Sequence, residues 1–437
     1  MPPALDTAPV PPVASARIDN VIHKRQPMAQ EQFSQDFSGP IKPGKRLCPR
    51  PFGCPHYTVL WAALFLLSIT PLASGQAVKQ APNPEMSAWV GDSPAAAAPL
   101  ASDLSARLKR KDVSHAIQKV ADWELQRATP HFTQQWTFAA LYAGFMAIPD
   151  GANGNKYWAA MLEMARKFEA QPGPRVAHAD DFAIGQIYLD LYAHDHDPAL
   201  LAPIRARADA ILQLQDDPQR PLWWWCDALF MAPPVMVKLS QATGDKKYLD
   251  FMDHEWWITS DLLYSPKEHL YFRDKSFFAS KEANGSSVFW SRGNGWVFAG
   301  LARVLAQTPA DYPSRPKYVA QFREMAQRLA SLQGTDGLWR PGLLDAEHYQ
   351  LPENSGSAFN AYGFAYGINA GILDRKTYTP VVEKAWRGLL SHVYEDGRLG
   401  CIQPIGAAPG AFSADSAYVF GTGAFLLAGS EIYQLAR

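Results

Sequence analysis

Charge of either sign is sparse in this 437-residue chain: 19% of residues are charged, and 41 basic against 42 acidic side chains leave a formal net charge of -1. Without a basic face there is little to drive counterion release from a phosphate backbone, so no nucleic-acid partner is expected. Cysteine is scarcer still. Cys48, Cys54, Cys226 and Cys401 form no Cys-x-x-Cys pair and no Cys/His cluster at zinc spacing, so no metal is indicated. Cys226 and Cys401 read as buried small hydrophobes rather than as a disulfide. Also missing are a phosphate loop, a His-Glu-x-x-His helix and a nucleophile-elbow serine. Gly293-Asn294-Gly295 has neither a preceding strand nor the dinucleotide spacing, which excludes a Rossmann site.

Aromatic residues, by contrast, are abundant. Fourteen tryptophans and seventeen tyrosines exceed what packing usually requires, and such rings make good platforms for sugars. The front of the chain is polar and proline-rich to about residue 56, and its basic flank holds Lys42, Lys45, Arg46 and Arg50. An apolar run from Tyr57 to Leu67 follows, then the small residues Ala73-Ser74-Gly75-Gln76-Ala77. That order is a secretory signal's, and Pro71 interrupts the run well short of the about 20 residues a membrane span needs. Residues 1–77 therefore read as an export segment and 78–103 as a linker. The mature protein is expected to be exported with no stable membrane span, an N-terminal anchor being the alternative.

From residue 104 to 437 the apolar period is helical, with no train of alternating strands. Helices are predicted over 113–126, 135–147, 156–169, 181–193, 199–215, 226–243, 246–263, 293–307, 317–333, 357–372, 380–394 and 416–435. Taken in pairs they make six hairpins, and the second helix of each is the more apolar, as an inner helix must be. Six hairpins closed into a ring give an all-α (α/α)6 barrel. An open solenoid would show a repeat of regular length, and none is present.

The unusual residues fall at the starts of the second helices. Trp136 opens the first, Asp180-Asp181 the second, Trp223-Trp224-Trp225-Cys226-Asp227 the third, and Trp290 to Trp296 the fourth. Glu353-Asn354-Ser355 opens the fifth and Phe412 to Tyr418 the sixth. Parallel inner helices would bring all of these around one mouth, whose helix N-termini favour an anion. Asp227, set among indoles, is the candidate general acid, because desolvation raises a carboxyl pKa. Helix capping is the purely structural alternative for Asp227. One of Asp180 and Asp181 is expected to cap and the other to face the mouth. Arg292, between Trp290 and Trp296, is expected to grip a carboxylate bidentately.

Trp225-Cys226-Asp227-Ala228-Leu229-Phe230-Met231-Ala232-Pro233-Pro234, Arg273-Asp274, Trp290-Ser291-Arg292-Gly293-Asn294-Gly295-Trp296 and Leu338-Trp339-Arg340 resemble glycoside hydrolase family 105, the unsaturated rhamnogalacturonyl hydrolases. The loop from Pro352 to Ala358 and the run Gly423 to Glu431 belong to the same resemblance, which spans about Leu104 to Arg437. It implies an (α/α)6 barrel without a cofactor that releases a 4,5-unsaturated uronic acid from the non-reducing end of lyase-generated pectic oligosaccharides. It further implies Asp227 as the acid, Asp180 or Asp181 as its partner, Arg292 at the substrate carboxylate, and Trp225, Met231 and Trp296 lining the sugar subsite. Some relatives carry a histidine near the position of Arg273, a further candidate contact. A non-catalytic sugar-binding barrel and another (α/α)6 lyase or epimerase are the competing readings.

Overall fold

The computed structural model describes residues 98–150, 154–214 and 221–436. The expected export segment, and the linker up to residue 97, lie outside them. Among the described residues twelve long helices run in chain order: α1 Arg110–Ala128, α2 Trp136–Ala147, α3 Gly154–Lys167, α4 Gly185–Asp195, α5 Pro198–Ile211, α6 Pro233–Thr243, α7 Lys247–Leu263, α8 Ser291–Gln307, α9 Arg315–Ser331, α10 Asn354–Asn369, α11 Arg375–Leu390 and α12 Val419–Leu435. Two four-residue helical turns, Ala179–Phe182 and Ala228–Met231, precede α4 and α6.

Even-numbered helices form the inner ring. Each packs on the next, from α2 through α4, α6, α8 and α10 to α12, and α12 closes back on α2. The inner helices are apolar nearly all round: in α10 every residue from Asn354 to Ile368 is buried. The outer α9 instead buries Tyr318, Gln321, Phe322, Met325, Ala326 and Leu329, one stripe at three- and four-residue spacing. Each fully buried Phe or Leu contributes about 1.5–3 kcal/mol, so this division of faces is what closes the barrel.

Neighbouring inner helices run parallel. At the start of α12 Phe420 lies 5.5 Å from Trp136 at the start of α2. One turn on, a Cβ at Gly423 would sit 2.2 Å from the Ala140 carbonyl oxygen, so only glycine permits this approach. All six inner N-termini therefore surround one mouth. Between α7 and α8 a two-stranded antiparallel hairpin pairs Tyr264 with Tyr271 and Ser265 with Leu270. Among the described residues no helix is long and apolar enough to cross a membrane, and Cys226 and Cys401 are buried and unpaired.

Candidate active site

Asp227 stands at the head of the Ala228–Met231 turn, 9% exposed, and makes no capping hydrogen bond. The structural alternative of an N-cap is thereby removed. Burial raises its pKa, against the nearby charge of Arg273, the Cys226 thiol and Arg292. The thiol lies 3.4 Å from Asp227 Oδ1, and Arg273 Nε lies 3.9 Å from Oδ2.

The two adjacent aspartates separate cleanly. Asp181 accepts from Arg175 three times: from its backbone N–H at 2.7 Å, from Nε at 3.0 Å and from Nη2 at 2.7 Å. These bonds and the Arg175 charge hold its pKa below the usual carboxylate range despite partial burial. Asp181 therefore secures the loop before α4, and its candidacy as a catalytic group is corrected. Asp180 faces Asp227. Its carboxyl is pushed up to about 7, first by burial and then by the negative charge of Asp227. Beside it His178 Nδ1 accepts the Asp180 backbone N–H at 3.3 Å, which assigns the ring proton to Nε2. The His178 ring lies 4.8 Å from Trp225, and burial lowers its pKa to about 4, so it stays neutral.

Arg292 differs from expectation. It is 1% exposed, and Nη1 and Nη2 donate to the carbonyls of Gln403 and Pro404, each at 2.7 Å. Glu353 Oε1 lies 3.6 Å from Nη1, and the guanidinium sits 4.3 Å from the Trp290 ring centroid and 4.9 Å from that of Phe420. Each terminal nitrogen is thus committed to a carbonyl and the side chain is shut off from solvent, so the bidentate grip on a substrate carboxylate is corrected to a brace between α8 and the segment at 403–404. Glu353, wholly buried, also accepts from Gly356 N at 2.7 Å, Ser355 Oγ at 2.7 Å and Gln403 N at 3.1 Å. Gln403 Oε1 in turn accepts from Trp290 Nε1 at 3.1 Å. Nothing in the local sequence around Gln403 marks it, because Glu353 lies 50 positions away, Arg292 111 and Trp290 113.

Beside Asp227 stands a partly open cation, Arg273, whose side chain is 20% exposed. Asp274 accepts from its Nη1 at 2.6 Å, and its guanidinium lies 5.5 Å from the Trp224 ring. Its place is set by Asn294, which accepts from Tyr271 N at 2.7 Å and donates to Tyr271 O at 3.0 Å, tying the hairpin to α8. Cys226 N–H donates to the Arg273 carbonyl at 2.8 Å and links the two segments directly.

Of the expected sugar-lining residues, Trp225, Met231, Trp290 and Trp296 are 4%, 1%, 2% and 1% exposed. They form the wall rather than an open stacking face. Trp296 wedges among Trp136, Phe230 and Phe359 at 6.0, 4.7 and 4.1 Å. Trp224, 47% exposed, and the half-buried Trp136 are the rings available to a ligand. Trp339 packs in the core and donates to Leu329 O at 2.8 Å, while Arg340 pairs with Asp336 at 2.8 Å, so that motif supports the frame. His348 is exposed on its loop and belongs to no part of the site. Among the described residues no three His, Cys, Asp or Glu side chains gather as a metal site.

A buried pair of carboxyls, both shifted upward and with the partly open Arg273 beside them, can hold a proton near neutrality and deliver it to a bound anion. Comparison with known proteins points the same way. Residues 107–436 match the sequence model of Glycosyl Hydrolase Family 88. The chain is 40% identical over 349 residues to an unsaturated 3S-rhamnoglycuronyl hydrolase of Formosa agariphila, covering 75% of this chain and 92% of that protein. A solved glycosyl hydrolase family 88 structure from Bacteroides vulgatus aligns with a TM-score of 0.71 at 32% identity, covering 75% of this chain and 99% of that one. A family 105 glycoside hydrolase of C. acetobutylicum shares the fold, with a TM-score of 0.61 at 20% identity over 74% of this chain and 99% of that one.

Proposed function

Because the chain belongs to Glycosyl Hydrolase Family 88 and is a glycosidase, we propose that it releases a 4,5-unsaturated uronic acid from the non-reducing end of lyase-generated oligosaccharides. Rhamnose is the sugar proposed to follow the uronate, as the name of the Formosa agariphila relative suggests. The observation that carries this reading is the Asp227–Asp180 pair, in which burial raises both carboxyls and the charge of Asp227 helps push Asp180 up to about 7, so that the pair keeps a proton available near neutral pH.

In the proposed reaction Asp227 donates its proton to C4 of the C4=C5 enol ether. Water adds at C5 and returns a proton to the carboxylate pair. The hemiketal then opens at the C5–O5 bond, and the hemiacetal left at C1 collapses and expels the neighbouring sugar as an alcohol. One water is consumed, and no carboxylate attacks the anomeric carbon, unlike in ordinary glycoside hydrolysis. Arg273 is placed to offset the uronate carboxylate, and Trp224 and Trp136 to carry the sugar faces.

The test follows the ultraviolet absorbance of the unsaturated uronate in a lyase-generated disaccharide. Wild type removes the band, and Asp227→Asn lowers kcat by about 10²–10⁴-fold, the usual contribution of a positioned acid. A band untouched by wild type across several such disaccharides refutes the substrate class. Near-normal turnover by Asp227→Asn refutes the role of Asp227.

The same reading places the enzyme outside the cytoplasm, with residues 1–77 as export segment, 78–103 as linker and 104–437 as catalytic domain. Support comes from the basic flank, apolar run and small residues already described. N-terminal sequencing of the protein from the periplasm or medium should begin near residue 76, and recovery only from the cytosol would refute export.

A further inference from the structure

The turn that carries Asp227 is followed by Pro233 and Pro234, at the start of α6. Neither has an N–H, so the carbonyls of Leu229 and Phe230 lose the donors four residues on that a continuous helix would supply. Val235 N–H turns tightly to Ala232 O at 3.0 Å, which also leaves the Met231 carbonyl outside the ladder. Buried carbonyls without donors are costly, so each must be accounted for.

Gln186, on α4 and 1% exposed, answers two of the three. Its Nε2 donates to Phe230 O at 2.9 Å and to Met231 O at 3.2 Å. The amide is held that way round by Arg303 of α8, whose Nε donates to Gln186 Oε1 at 2.6 Å. Leu229 O faces α8 at Gly300, where a Cβ would come within 2.4 Å.

We propose that Gln186, oriented by Arg303, is a positioning residue that replaces the helix bond removed by Pro234 and the one Val235 gives up at Met231 O, and so fixes the turn bearing Asp227. Three inner helices then converge on the backbone just after the proton donor. The inference rests on Asp227 as that donor, and Asp227→Asn tests the premise separately.

Gln186→Leu keeps the volume and loses the amide. It lowers kcat by about 10- to 100-fold, the cost of a misplaced catalytic group, while KM stays within about threefold. Pro234→Ala alone is near neutral, but it restores an N–H to the position opposite Phe230 O. In the double variant it returns most of the lost kcat, a rescue that lost packing would not give. Arg303 lines a cavity of about 530 Å³ at the far end of the inner helices rather than the packed core, so its variants remain foldable if Gln186→Leu does not. Arg303→Met lowers kcat by about 3- to 10-fold, and Arg303→Lys, which keeps a donor, loses less. Unchanged kcat in Gln186→Leu, no rescue by Pro234→Ala, or equal kcat in Arg303→Met and wild type would each overturn the proposal. If Asp227→Asn abolishes turnover while these variants behave as wild type, only the positioning role falls.

Discussion

Replacing Asp180 by asparagine tests the electrostatics of the pair most directly. The Asp180 carboxyl stands at about 7 in the folded protein against an ordinary 3.8, with burial the larger cause and Asp227 the next. A raised carboxyl pKa means that the folded state prefers the protonated form. Its stabilising contribution is therefore complete below about pH 4 and is lost as pH rises through about 7. A shift of about 3 units corresponds to roughly 4 kcal/mol, lost at about 1.4 kcal/mol per pH unit. The Asp180 side chain is 18% exposed, so solvent screens little of this. Asn cannot ionise. The unfolding free energy of Asp180→Asn minus that of wild type should then grow by about 1.4 kcal/mol per unit from about pH 4.5 and level off above about pH 7.5. Denaturation at four or five pH values reads this directly. Kinetics supply a second sign: without the neighbouring charge Asp227 ionises more readily, so the alkaline limb of residual kcat/KM moves to lower pH. A stability difference that does not vary with pH, or an alkaline limb that does not move, refutes the reasoning.

Arg273→Ala moves the alkaline limb the opposite way, because the cation lowering the pKa of Asp227 is gone. It also raises KM for the unsaturated uronate about 10- to 100-fold, the value of a charge-assisted hydrogen bond, and an unchanged KM would rule out this contact. Arg292→Met leaves Glu353 without its ion-pair partner and should cost about 3–5 kcal/mol in thermal or denaturant unfolding. Lysine should not restore it, since a single ammonium cannot span the carbonyls of Gln403 and Pro404. Full stability with lost turnover would show that Arg292 acts on the substrate instead.

How far the sequence reaches depends on the range of the signal. Each of the twelve long helices among the described residues is legible because its apolar period is local, and most ends fall within a few residues of expectation, as 293–307 against Ser291–Gln307 and 246–263 against Lys247–Leu263. The exceptions are 226–243, which begins only at Pro233, and 380–394, which begins at Arg375 with Pro380 inside the helix. The two interruptions, before α4 and before α6, leave no mark in that period. Pro233-Pro234 was in plain view, yet proline at the start of a helix is unremarkable. Only the turn before it shows that a helix from 226 must break at Ala232. Asp180 and Asp181 are equivalent as residue types at a helix start. Arg175, six positions upstream of Asp181, decides between them by hydrogen-bonding one and leaving the other to the mouth.

Arg292 is the more instructive case. A guanidinium between indoles suits a ligand site, but the same surroundings suit a buried cation, and the difference lies in partners remote in sequence. Glu353 comes 61 positions later and Gln403 111, and both reach Arg292 only because α8, α10 and the 401–404 segment meet at one rim. A buried ion pair adds little net stability over a well-packed apolar replacement. Its use here is register: Nη1 and Nη2 hold two consecutive carbonyls, and Glu353 collects the N–H groups of Ser355, Gly356 and Gln403. A slip of one helix by a residue would leave several of these groups buried without partners. The rim is therefore fixed in one arrangement, and the positive charge it encloses still lowers the pKa of Asp227. The arginine that the sequence offers as a hand for the substrate thus works as a fixed counter-charge, and the proposed substrate contact is instead Arg273, which follows the hairpin that Asn294 ties to the same helix.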